Sequence, residues 1–200
     1  MKLRDCSAFA APASTGRRRL ITAGALACVG LPASARADSG VGPVAPLATA
    51  PALPLRRHDG ATPTLVAQLT GSRTAVQLMF TGCSSVCPLQ GALFGALQAE
   101  LLVQHDIPAR LLSLSIDPLA DDPPALSEWL RRFGAGSRWS AAAPDIQTLD
   151  QLLSLFSRNA AIGDRHSGQV YVFDRQARLA WRTSELPPTA EVMAALRGVA

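Results

Sequence analysis

Cys83 and Cys87 stand four residues apart in F-T-G-C-S-S-V-C-P-L-Q, directly after an apolar run. Two thiols at that spacing suit three chemistries: a structural disulfide, a redox couple, or ligation of a soft metal. On the first turn of a helix, side chains at i and i+4 face one side. Unpaired N–H groups and the helix dipole lower a thiol pKa there, and thiolates are what a metal or a redox partner needs. Thioredoxin-type redox pairs have two residues between the cysteines; this pair has three. The longer spacing admits a disulfide and also two thiolates converging on one ion. A disulfide closing so short a loop adds little through chain entropy.

The flanking sequence supplies a strand and a helix to carry the pair. Ala75–Phe80 (A-V-Q-L-M-F) reads as a buried strand. Val86–Val103 reads as a helix with Leu89, Leu93, Leu97 and Leu101 at i, i+4 spacing, and Pro88 falls in its first turn, where a missing N–H does no harm. Arg110–Ile116 is a second strand. Pro124–Phe133 is a helix with Trp129, Leu130 and Phe133 on its apolar side, and Ile146–Phe156 is another. Gln169–Asp174 and Arg178–Trp181 form a hairpin around Arg175-Gln176-Ala177, and Pro188–Val199 closes the chain as a helix. This order predicts an α/β class: a thioredoxin-like fold with a central mixed sheet flanked by helices. Trp129, Trp139 and Trp181 are expected in the core. No internal repeat is visible.

His166 is the third residue of interest, in G-D-R-H-S-G-Q-V-Y-V-F-D. It stands in a polar loop three residues before a strand. Thioredoxin-like redox proteins place a proline in the loop facing the cysteines, where it helps to exclude metal. No proline lies between Pro144 and Pro187 here, and a histidine occupies the corresponding loop. Two thiolates and one imidazole suit copper, since thiolates favour Cu(I) and imidazole also supports Cu(II). His58, in a polar H-D-G turn, and His105, at a helix end, read as solvent-exposed.

The 200 residues predict one domain with a tail, and 48% hydrophobic residues suffice for a core. The net charge of +4 is unevenly spread. Residues 1–37 hold six basic residues against Asp5 alone, leaving 13 basic and 14 acidic in the remainder. The domain therefore lacks the basic patch that nucleic-acid binding needs. The basic segment reads instead as a cleavable export signal over residues 1–37. Arg17–Arg19 precede a short apolar stretch, Leu20–Leu31, and Ala35-Arg36-Ala37 fits a small-x-small cleavage site. Adjacent arginines resemble a twin-arginine signal; an ordinary secretory signal is the alternative. Ala25 argues against a lipid anchor at Cys28. Residues 38–54, rich in Ala, Pro and Gly, read as a flexible tether before a domain over residues 55–200. Cys6 and Cys28 leave with the signal, so the mature chain keeps only Cys83 and Cys87.

Three motifs, F-T-G-C-S-S-V-C-P, L-S-I-D-P-L-A-D-D-P-P and D-R-H-S-G-Q-V-Y-V-F-D, together resemble the SCO/SenC family in the right order over most of Leu53–Ala200. The resemblance implies a periplasmic or otherwise extracytoplasmic copper chaperone. It implies copper, as Cu(I) or Cu(II), held by Cys83, Cys87 and His166. The implied partner is the copper-bearing subunit of cytochrome c oxidase, or another copper acceptor, with a copper donor or thiol–disulfide partner. The family assembles the oxidase's binuclear copper site either by delivering copper or by reducing the recipient's cysteines. In the second role Cys83 and Cys87 are the catalytic pair of a thiol–disulfide oxidoreductase. Asp117 matches the aspartate of the family's D-P turn, and Asp121 or Asp122 the acidic residue that follows it. Asp122, before Pro123-Pro124, also reads as a helix cap. The chain departs from C-P-x-x-C-P: Ser84 replaces the first proline and Ser85 an aspartate. The serine is expected to loosen the loop, and the lost acid removes charge favouring a cation or a partner. A peroxidase-like site is disfavoured because Thr81 stands at T-x-C rather than T-x-x-C. A stapled binding domain without chemistry is the remaining alternative.

Overall fold

Strand β3 (Arg73–Met79) sits at the centre of a seven-stranded sheet and is buried on both faces. Successive strand residues point to opposite faces. Ala75 and Met79 accordingly enter one core and Val76 and Leu78 the other. The structure is a computed structural model that describes residues 40–104, 106–157 and 167–200.

The sheet order is β1 (Gly42–Thr49), β7 (Arg178–Arg182), β6 (Val170–Phe173), β3, β4 (Ala109–Ser115), β5 (Trp139–Pro144), β2 (Leu55–Arg57). β3, β4 and β5 run parallel, and every other pairing is antiparallel. Helices α2 (Val86–Val103), α3 (Pro123–Arg132) and α5 (Thr189–Gly198) contribute to the core on one face. Helices α1 (Leu65–Leu69) and α4 (Leu149–Phe156) contribute to the core on the other. This is the mixed sheet flanked by helices that the sequence predicts.

Helix α2 spans the predicted residues, and of its predicted stripe Leu97 and Leu101 are buried and Leu93 packs partly against the same core. Cys87, Gln90, Gly91, Phe94, Leu97 and Leu101 face the core. Leu89, expected on that stripe, is exposed. It lies two residues beyond Cys87, about 200° around the helix. Each fully buried Phe or Leu of the stripe stabilises the fold by about 1.5–3 kcal/mol. Gly91 lets the helix approach closely: a Cβ there would lie 2.5 Å from the Phe133 ring.

The tether expected over residues 38–54 is a strand over Gly42–Thr49. It pairs antiparallel with β7 at the sheet edge. Pro43 and Pro46 are tolerated because an edge strand can present residues without N–H groups outward. β2, β5 and α1 are likewise absent from the sequence-based reading. Of the three tryptophans, Trp129 and Trp139 are fully buried, and both indole N–H groups donate to Ser113 Oγ, at 3.3 and 2.9 Å. Trp181 is only partly buried against the same core.

Candidate functional site

Strand β3 ends at Met79 and α2 begins at Val86, so the cysteine loop is the turn between them. The Cys83 N–H donates to Phe80 O at 3.1 Å, folding the loop back on the strand end. Ser85 stands at the helix N-cap, yet its hydroxyl does not cap the helix. Its Oγ lies 3.6 Å from Cys83 Sγ instead.

Cys83 and Cys87 are free thiols, with exposures of 7% and 4%. Burial opposes ionisation of Cys83. Hydrogen bonds from the Cys87 thiol, the backbone of Ser85 and Cys87 and the Ser85 hydroxyl outweigh it, bringing Cys83 down to about 7. Burial pushes Cys87 up to about 12, reinforced by its hydrogen bond to Cys83 and by the Cys83 charge. The lowering expected at a helix start thus reaches one thiol only. The result is a buried thiol that ionises near neutral pH beside one that holds its proton.

Behind the loop lies Asp121, fully buried at the start of α3. Its carboxylate accepts the Thr81 N–H at 3.2 and 3.1 Å, the Thr81 hydroxyl at 2.5 Å and the Ser115 hydroxyl at 2.6 Å. Asp122 performs the expected capping, accepting the Ala125 N–H at 2.9 Å. Asp117 accepts the Ala120 N–H at 3.3 Å within its own turn. It also lines an open cavity of about 340 Å³ with Phe80, Ile116, Leu119 and Ile146.

On the other side, Gln90 is buried one turn after Cys87. Its amide nitrogen donates to Ser167 O at 3.3 Å and Gln169 O at 3.4 Å. Cys87, Gln90 and Ser167 line one narrow cleft with Met79 and Ile116. Glu185 holds the same segment from the β7–α5 connection, accepting the Ser167 hydroxyl at 3.0 Å and the Gly168 N–H. His166 lies outside the described residues, as do His105, Cys6 and Cys28. Among the described residues no three His, Cys, Asp or Glu side chains converge as a metal site. His58, expected in solvent, is half-buried, with Nδ1 3.2 Å from Ala141 O.

Gln90 and Glu185 are the residues that sequence reasoning missed as parts of the site; Asp121 was marked there only through the resemblance, as one of two candidate acids, without its tie to Thr81. Only Gln90 carried a local signal: a polar side chain at i+3 from Cys87 within an apolar helix.

The family model described as SCO1/SenC matches residues 53–200. The chain belongs to the SCO1/SenC family. No curated protein matches it significantly. Among solved structures it is similar to a SCO1/SenC family lipoprotein from Bacillus anthracis, at 20% identity over 78% of this chain and 95% of that one, with a TM-score of 0.63. It is similar to yeast Sco1 with copper bound, at 15% identity over 76% and 91%, also with a TM-score of 0.63. A third is BsSco, a cytochrome c oxidase assembly protein in which a disulfide switch was identified. That match has 19% identity over 76% and 92%, with a TM-score of 0.63. At these identities the likenesses show the fold. Against the SCO/SenC motif, this SCO1/SenC chain has Ser84 exposed in the loop and Ser85 directed to the Cys83 sulfur.

Proposed function

We propose that this SCO1/SenC protein is an extracytoplasmic copper chaperone. Cys83, Cys87 and His166 hold copper as cargo for the binuclear copper site of cytochrome c oxidase. The observation that carries the reading is the pair of free, buried thiols brought together where β3 turns into α2. Two sulfur donors on one short loop suit Cu(I), and the proton on Cys87 is released when metal replaces it. Ser167, covalently joined to His166, lines the cleft with Cys87, which supports an imidazole from that loop as the third donor. A three-coordinate site can pass copper by ligand exchange, an incoming thiolate attacking before a Cys83 or Cys87 sulfur leaves. The Arg-rich segment before Asp38 is the proposed export signal. The relatives named above, one a lipoprotein, one with copper bound and one an oxidase assembly protein, support this assignment by family.

The same unequal pair supports a second reading, thiol–disulfide exchange. The Cys83 thiolate would attack a partner disulfide, breaking it and releasing one partner thiolate. Cys87, losing its proton, would then attack Cys83 Sγ and release the second, leaving a Cys83–Cys87 disulfide and a partner reduced by two electrons.

The test is copper stoichiometry and Cu(II) absorption of the reduced chain carrying Cys6→Ser and Cys28→Ser. The same measurements are made after His166→Ala and after Cys83→Ser with Cys87→Ser. One copper per chain, lost with the cysteine pair, is expected, with thiolate-to-Cu(II) bands weakened in His166→Ala. No retained copper, with ready exchange against glutathione, would overturn the chaperone reading and leave the reductase.

A further inference from the structure

We propose that Asp121 is a positioning residue for the cysteine loop, acting through Thr81 to hold Cys83 and Cys87 in their reduced arrangement. The proposal rests on reading the pair as able to exchange.

Asp121 spends its whole carboxylate on the two strand ends beside the loop. Oδ1 takes the Thr81 hydroxyl, Oδ2 takes the Ser115 hydroxyl, and both accept the Thr81 N–H. None of these donors is cationic. A buried carboxylate satisfied only by neutral groups depends on each of them, because a lost donor leaves charge uncompensated. The anchor itself is fixed. The Asp121 N–H donates to Asp117 O at 3.0 Å, and the next residue caps α3.

Thr81 is the part that can give. It precedes Gly82-Cys83 and follows Phe80, whose carbonyl takes the Cys83 N–H. Fixing Thr81 therefore fixes where the loop leaves β3, and with it the presentation of Ser85 and Cys87 backbone groups to the Cys83 sulfur. A disulfide demands a different geometry, with the two sulfurs about 2 Å apart. The pin is intact in the dithiol; on this proposal closing the disulfide loosens it, so that removing it favours the disulfide.

The experiment uses the full chain carrying Cys6→Ser and Cys28→Ser, so that only this pair exchanges. In glutathione buffers at fixed pH, Cys83 and Cys87 lose two electrons and two protons, and one glutathione disulfide becomes two glutathione thiols. Acid trapping and mass measurement give the disulfide fraction. Thr81→Val should raise the equilibrium constant for the disulfide about tenfold, the worth of one hydrogen bond to a charged acceptor. Thr81→Ser, which keeps the hydroxyl, should stay within about twofold of the parent. Leu152→Ala, which cuts into the opposite core, should do the same although it lowers stability. Asp121→Asn should shift the constant at least as far as Thr81→Val where it folds; otherwise the Thr81 pair decides. Equal constants for Thr81→Val and Thr81→Ser would overturn the proposal, as would an equal shift in Leu152→Ala. The copper assay separates this failure from the other. A parent that exchanges but holds no copper sinks the chaperone reading alone. Copper binding with indifferent Thr81 variants sinks the pin alone.

Discussion

Gln90 and Ser167 are joined by a hydrogen bond, the glutamine amide donating to the serine carbonyl at 3.3 Å. The bond runs from the helix that carries Cys87 to the residue after His166. A second bond, to Gln169 O, uses the other amide hydrogen, so both donors of the side chain hold one segment. Two parts of the proposed copper site, far apart in sequence, thus share a tie that involves none of the three donors.

Replacing Gln90 with Leu keeps the volume and removes both donors. The cost should be about 1–3 kcal/mol, since two carbonyls lose their partner at a buried position. Urea denaturation of the reduced chain measures it. On the chaperone reading, Cu(I) binding by the cysteines should persist while the His166-dependent Cu(II) bands weaken. Unchanged Cu(II) bands in a folded variant would show that the tie does not serve the third donor.

The unequal acidities make a kinetic prediction. Cys83 falls from 9.0 to about 7, so its thiolate fraction grows as pH rises through 7. Cys87 rises to about 12 and stays protonated over the same span. Iodoacetamide labelling of the reduced chain, mapped by mass spectrometry between pH 5 and 9, should modify Cys83 first. Its rate should climb with a midpoint near 7. Labelling of Cys87 ahead of Cys83, or a midpoint near 9, would contradict the assignment.

Much of this arrangement is legible in the sequence. Helix α2 was predicted to the residue, because its apolar run starts after a strand and its first-turn proline is harmless. β5 was invisible because, after Trp139, S-A-A-A-P lacks the branched and aromatic residues that mark strands; its alanines suit an interior strand covered closely on both faces. β1 was hidden by its prolines, which an edge tolerates and a pattern search penalises. The cysteine pair was evident from spacing. Asp121 was marked only by the family resemblance, as an alternative to Asp122, because D-D-P-P identifies a helix cap in Asp122. Nothing local says that its neighbour reaches Thr81, forty residues away in the chain.

Ser85 gives a prediction peculiar to this chain. Its hydroxyl, 3.6 Å from Cys83 Sγ, is one of several groups favouring the thiolate. Ser85→Ala should raise the Cys83 labelling midpoint modestly, by about half a pH unit, since a long contact to sulfur is worth less than a typical charged hydrogen bond. Ser85→Asp should raise it further, because a carboxylate repels the neighbouring thiolate. An unchanged midpoint in Ser85→Ala would show that the hydroxyl contact is not what stabilises the sulfur.

Gly168 separates the two halves of the site. Its N–H donates to Glu185, and its carbonyl accepts the Leu186 N–H at 3.0 Å. A Cβ at this position would lie 2.8 Å from Glu185 Oε2 and 3.2 Å from Leu186 N. The carboxylate can swing away, but the Leu186 backbone already sits at φ 45° and has little room to adjust. Gly168→Ala should therefore cost about 1–3 kcal/mol and displace the Glu185 clamp. The cysteine loop is held separately, through Thr81 and Asp121. Cys83 labelling should consequently keep its rate and midpoint while the Cu(II) bands weaken. Loss of both signals in a folded variant would mean that the two halves move together, and the separate roles of Asp121 and Glu185 would have to be given up.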